Sequence, residues 1–143
     1  MRIERLGPGD DAAVVAAEGL FDGPARAEAT RRFLADPLHH LLIAYEDGTP
    51  AGFVSGVEVT HPDKGTELFL YELAVDPAFQ RRGIGAALVA ALAELAAEAG
   101  CYGMFVLTER ANEAAMATYQ RAGAAVEGDH VMLGWRFDPD QDR

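Results

Sequence analysis

Hydrophobic positions along the chain change their period several times, and each change marks an element boundary. Ile3-Glu4-Arg5-Leu6 alternates and predicts a short first strand. Asp10 stands where an N-cap would precede a helix running through Leu20. Pro24 suits a first helical turn, so a second helix is expected to run to about Ala35 and end at Asp36-Pro37. Leu41 to Tyr45 and Ala51 to Val59 read as strands, with Asp47-Gly48 between them as a hairpin signal. Thr60 to Thr66, with His61, Pro62, Asp63, Lys64 and Gly65, reads as a loop. Glu67 to Val75 is nearly continuously apolar, the pattern of a central strand buried on both faces. From Ile84 the period lengthens: Ile84, Leu88, Ala91, Leu92 and Leu95 share one helical face, and Gly100 closes that helix. Tyr102 to Leu107 predicts a strand, Asn112 to Arg121 a helix ended by Gly123, and His130 to Phe137 a last strand. The remaining residues, 138–143, are expected to fray.

This order predicts an α/β fold in which helices flank a mixed central sheet. With 143 residues, no repeat and no low-complexity linker, one domain over 1–143 is expected. The start breaks at Gly7-Pro8-Gly9 instead of following the pattern of a secretory leader. No apolar stretch reaches the roughly 18 residues of a membrane span. Cys101 is the one cysteine, which precludes an intrachain disulfide framework and fits a cytoplasmic setting. It reads as a small buried apolar residue at a strand start. His39, His40, His61 and His130 have no ligand partners at useful spacing, so no metal is expected.

The formal net charge of −11 argues against nucleic acid, because phosphate binding needs surplus Lys and Arg. It is compatible with a cationic substrate, which an acidic cleft would attract, and equally with mere solubility. Against that background, Gln80-Arg81-Arg82-Gly83-Ile84-Gly85 stands out between the apolar strand and the amphipathic helix. Glycine lets backbone approach a ligand, and a helix start presents free N–H groups and a positive dipole end, which together suit a phosphate. The spacing is neither that of a dinucleotide fingerprint nor that of a P-loop.

The loop resembles the acyl-CoA signature Gln/Arg-x-x-Gly-x-Gly/Ala of the GNAT superfamily of N-acetyltransferases. Asn112 to Gly123 resembles that superfamily's Asn-x-x-Ala-x-x-x-Tyr-x-x-x-Gly helix, and Val75-Asp76-Pro77 its usual lead-in. Tyr71 to Val75, Gly100 to Val106 and Ala115 to Tyr119 look similar to GNAT-type aminoglycoside 3-N-acetyltransferases, a likeness over most of residues 67–137. The resemblance implies acetyl-CoA as co-substrate, held at its pyrophosphate by the backbone N–H groups of Arg81, Arg82, Gly83, Ile84, Gly85 and Ala86. The strand end Leu73-Ala74-Val75 would line the pantetheine arm. It also implies a cytoplasmic resistance enzyme acting on the 3-amino group of an aminoglycoside and, since relatives are often dimers, a homodimer.

Such a reaction needs a base for the amine, an acid for the leaving thiolate and a donor for the thioester carbonyl. Glu72, a lone carboxylate in the apolar strand, is the candidate base or an anchor for the substrate ammonium; burial would raise its pKa. Tyr119 is the candidate acid, or else a core aromatic. Asn112 either caps its helix or contacts CoA. Glu58, Glu109 and His130 are candidates for the acceptor pocket, although each suits a surface or core position as well; Glu67 and Asp129 lie near predicted strand ends too. Alternative acceptors are another polyamine, a small amine or a protein N-terminus. A CoA-sensing module without catalysis is the non-enzyme alternative.

Overall fold

The computed structural model describes residues 1–142. It is a mixed sheet in the order β1-β2-β3-β4-β5, built from β1 (Arg2–Arg5), β2 (His39–Glu46), β3 (Thr49–His61), β4 (Gly65–Val75) and β5 (Met104–Val106). Neighbours are antiparallel except β4 and β5. A parallel pair needs a crossover. The helix α3 (Ile84–Glu98) supplies it. The turn between β2 and β3 has positive φ at both Asp47 (49°) and Gly48 (80°), the twist a tight hairpin requires.

Alternation divides the sheet residues between two cores. Leu42, Ala44, Val54, Leu68 and Leu70 face α3 and pack on Ile84, Leu88 and Leu92. Leu41, Ile43 and Phe53 face the opposite way, against Val14 of α1 (Asp11–Ala16) and Leu34 of α2 (Ala27–Ala35). Gly52 permits the close approach of α3: a Cβ there would lie 3.0 Å from the Ala74 carbonyl and 3.2 Å from Ile84. The last helix, α4, spans Glu113–Arg121.

The structure corrects several expectations. The first helix stops at Ala16 and a separate 3₁₀ turn covers Glu18–Leu20. Asp10 does take the N-cap position, but its carboxylate turns back to the Gly7 N–H at 2.8 Å and makes no capping bond to the helix. Pro24 stays outside α2. Much of the expected loop over Thr60 to Thr66 belongs to the extended β3–β4 hairpin, which tightens it to Pro62–Lys64. β4 is not buried on both faces, because on the α1–α2 side only Ala74 of β4 joins the core; Tyr71 is 54% exposed. Finally, residues 130–137 form no strand. Their alternation is strand-like, but a strand exists only through pairing, and among the described residues the only strand hydrogen-bonded to β5 is β4. Val131, Leu133, Trp135 and Phe137 consequently stand 74–95% exposed.

Candidate active site

Two departures from regular pairing shape the C-terminal end of β4. The β3–β4 register runs Ser55↔Glu72 and then Gly56↔Leu70, so Tyr71 is an extra residue in β4. A bulge of this kind re-aims side chains. Here it leaves the consecutive residues Tyr71 and Glu72 both exposed. The parallel ladder to β5 also ends at Leu70↔Val106, while β4 continues to Val75. Beyond Leu70, β4 therefore keeps its pairing with β3 on one edge, and its other edge has no strand partner among the described residues.

The chain then enters the Gly-containing loop. Asp76 accepts a hydrogen bond from the Ala78 N–H at 2.8 Å and starts a 3₁₀ turn over Pro77–Phe79. Arg82 stacks its guanidinium over the Phe79 ring at 5.4 Å. Arg81 (φ 64°) and Gly83 (φ 77°) both lie in the left-handed region. For arginine that conformation costs on the order of 1 kcal/mol or more, and such strain concentrates at ligand clamps. The first backbone bond of α3 runs from the Ala87 N–H to the Gly83 carbonyl at 3.0 Å. The N–H groups ahead of it, from Arg81 to Ala86, have no intrachain acceptor among the described residues. A Cβ on Gly83 would meet nothing within 4 Å. Successive free N–H groups at a helix start, with left-handed residues beside them, form a concavity suited to an anion.

On the face opposite α3, the bulge residues adjoin an aromatic surface. Phe69 stacks on Phe105 at 4.7 Å and meets Tyr71 edge-on at 5.6 Å. Glu72 is exposed beside them, yet its carboxyl sits above its ordinary pKa, first because the strand surface strips water from it and then because Asp22 is negative. A carboxyl raised in this way holds its proton more tightly folded than unfolded, so stability falls as pH rises from the ordinary carboxylate value through the raised one. Glu72→Gln is therefore expected to raise Tm slightly at neutral pH, by less than about 1 kcal/mol of stability given the exposure. The gain should vanish below the ordinary carboxylate pKa, and thermal melts at the two pH values check it.

Tyr119 of α4 is half-buried against the α3-side core, and burial alone pushes its phenol upward, keeping it protonated at neutral pH. It lines a cavity of about 840 Å³ beyond the free edge of β5, with Leu70, Val106, Arg110 and His130. Neither Glu72 nor residues 81–86 line that cavity. Asn112 caps α4, accepting from the Ala115 N–H at 3.1 Å. Leu73 and Val75 pack toward α3, and Ala74 toward the other core.

Glu58 lies elsewhere. Its carboxylate accepts from His40 Nε2 at 2.8 Å, and Arg5 donates to His40 Nδ1 at 2.8 Å. It pairs with Leu68, toward the start of β4 and away from the bulge. Glu109 is exposed in the turn before α4. Glu67 accepts from the Tyr102 hydroxyl at 3.2 Å. Among the described residues no cluster of three His, Cys, Asp or Glu side chains could hold a metal ion. No described helix is long and apolar enough to cross a membrane. Sequence reasoning missed Asp22 and the Phe69–Phe105 pair, since neither a lone carboxylate before a glycine nor an aromatic in a strand signals a site.

The model of the acetyltransferase (GNAT) family matches residues 14–124. A spermidine N(1)-acetyltransferase of Escherichia coli (strain K12) is 27% identical over 122 residues, covering 82% of this chain and 57% of that protein. The N-alpha-acetyltransferase RimI of Mycobacterium tuberculosis is 34% identical over 102 residues, covering 71% of this chain and 62% of that protein. The chain thus spans about three fifths of the length of these two relatives. Among solved structures, an aminoglycoside acetyltransferase from an uncultured soil metagenomic sample superposes with a TM-score of 0.80 at 28% identity, covering 94% of this chain and 98% of that one.

Proposed function

Because the chain belongs to the GNAT acetyltransferase family, we propose that it moves an acetyl group from acetyl-CoA to a primary amine of a polycation, an aminoglycoside first among them. The observation that carries this reading is the end of β4, where the row of free N–H groups from Arg81 to Ala86 lies a short loop beyond an unpaired strand edge and an exposed carboxylate. The fit to acetyl-CoA rests on those groups: the N–H row and Arg81 take the pyrophosphate, and the open edge of Leu73-Ala74-Val75 takes the amide-bearing pantetheine arm. A thioester lying along that edge would find a backbone N–H for its carbonyl oxygen.

Glu72 then takes a proton from the acceptor ammonium, directly or through water, so that the neutral amine attacks the thioester, or holds a second ammonium of the acceptor. Its raised pKa narrows the gap to the amine's. Tyr119, protonated at neutral pH, donates to the leaving thiolate. Tyr119→Phe is expected to lower kcat by about a hundredfold and leave acetyl-CoA affinity nearly unchanged. Steady-state rates beside a direct binding titration check this, and full activity would return Tyr119 to a packing role. Glu109 and His130, on the exposed turn and the cavity wall, are secondary acceptor contacts in this reading, and Glu58, held by His40, is not among them.

The aminoglycoside assignment draws on the 28%-identical aminoglycoside acetyltransferase, and the sequence resemblance points to the 3-amino group. NMR of the acetylated product decides the position; acetylation at another amino group would keep the enzyme class and change the regiochemistry. A polyamine acceptor is the second reading, favoured by the spermidine acetyltransferase relative. As an aminoglycoside-modifying enzyme the protein would confer resistance and act in the cytoplasm. The exposed apolar side chains of Val131, Leu133, Trp135 and Phe137 support a homodimer, which sedimentation measures.

A further inference from the structure

The segment joining α1 to α2 is held in place by packing of Phe21 into the core on the α1–α2 face. Phe21 meets Phe53 of β3 edge-on, with ring centroids 4.9 Å apart. Phe53 is paired with Ala74 of β4, and both belong to the core on the α1–α2 face. Two positions along the same ladder, Ser55 is paired with Glu72. Phe21 therefore anchors its neighbour Asp22 above the β4 end, on the face that α1 and α2 otherwise leave open. The loop is closed behind it by the Ala25 N–H, which donates to the Glu18 carboxylate at 2.9 Å. Glu18 is thereby occupied, whereas Asp22 is exposed and forms no salt bridge among the described residues. The nearby cation Arg26 is directed to Gln141, to which it donates at 3.0 Å. Asp22 is near enough to Glu72 for its charge to act on it.

We propose that Asp22 is a specificity-determining residue of the acceptor site, binding a second ammonium of the substrate so that diamines and polyamines are preferred over monoamines of the same length. Two unpaired carboxylates on one open face repel each other until cations arrive. A monoamine satisfies one of them, and a doubly charged acceptor satisfies both. The exposed ring of Tyr71 adds a face on which a cation or an amino sugar can rest. The inference rests on the acetyl-transfer reading and names the substrate class of that same site.

The test compares butane-1,4-diamine with butylamine, and an aminoglycoside with both, in wild type, Asp22→Asn and Asp22→Glu. Asp22→Asn should raise KM for the diamine and the aminoglycoside about tenfold more than KM for butylamine, with kcat held within about twofold, since one charged hydrogen bond is lost. Asp22→Glu should keep most of the preference. Raising ionic strength should erode the wild-type preference more than that of Asp22→Asn. Equal losses for monoamine and diamine, or no change in either, would overturn the assignment of Asp22 while leaving acetyl transfer standing. Absence of turnover by wild type on every amine would instead overturn the acetyl-transfer reading, and this inference with it.

Discussion

Gly83→Asp is expected to abolish acetyl-CoA binding in a protein that still folds. The position isolates the two effects unusually well. A Cβ at residue 83 meets nothing within 4 Å, so packing is not disturbed. Its φ of 77° disfavours most side chains, but Asp is among the residues that tolerate it. Residue 83 is also the N-cap of α3, where a carboxylate favours the helix. Strain and capping thus oppose each other, and Tm should move little. The ligand sees the opposite: a fixed negative charge on the row of N–H groups that would receive the pyrophosphate. Losing even one charged hydrogen bond costs about 1.5–3 kcal/mol, and like-charge repulsion adds to it. Affinity should fall by on the order of a hundredfold or more. Gly83→Ala separates strain from charge and should lose far less. Calorimetric titration with CoA and a thermal melt on each variant measure both quantities. Unchanged affinity in folded Gly83→Asp would remove the loop from the binding site.

The second large effect is expected from Glu72→Gln. The amide keeps the shape and a hydrogen-bonding group but accepts no proton at neutral pH. If Glu72 is the base, kcat should drop about a hundredfold or more, with a modest change in acceptor KM. If it chiefly anchors an ammonium, KM should rise most, and more for multiply charged acceptors. The raised carboxyl should also shift the acidic limb of the wild-type rate profile upward from where an ordinary glutamate would put it. That limb should disappear in the variant if Glu72 is the base. Kinetics on aminoglycosides, polyamines and peptide N-termini at several pH values distinguish the roles. A fully active Glu72→Gln enzyme would exclude both.

Much of this site is legible in the chain because local patterns dictate it. The change from apolar strand to Gln80-Arg81-Arg82-Gly83-Ile84-Gly85 to amphipathic helix suggests an anion loop before any coordinates, and among the described residues the N–H groups from Arg81 to Ala86 have no intrachain acceptor. Helix α3 begins at Ile84, and of its expected face Ile84, Leu88 and Leu92 are buried while Ala91 and Leu95 are half-buried, with Val89 and Ala96 completing the buried side. What periodicity misjudges is everything decided by distant partners. The run of apolar residues around Glu72 suggests burial on both faces, but whether a face is covered depends on where α1 and α2 land, and the core beneath them takes in only Ala74 of β4. The extra residue Tyr71 is equally invisible, because a bulge is a relation between two strands. Residues 130–137 alternate as a strand should and yet pair with nothing among the described residues. Glu58 shows the same limit: its place near a strand end suggests an open pocket, while His40, 18 positions earlier, takes its carboxylate.

We hold that the β4 end and the α3 start together carry out acetyl transfer to a polycationic amine. The most direct measurement follows thiol release from acetyl-CoA by the wild-type protein across aminoglycosides, polyamines, monoamines and peptide N-termini, with the acetylated product quantified in parallel. The expected result is thiol release that depends on a polycationic acceptor, matched mole for mole by N-acetylated product, and lost in Gly83→Asp. Tight acetyl-CoA binding, abolished by Gly83→Asp but accompanied by no acetylated product from any amine, would contradict the claim and leave a CoA-binding module without catalysis.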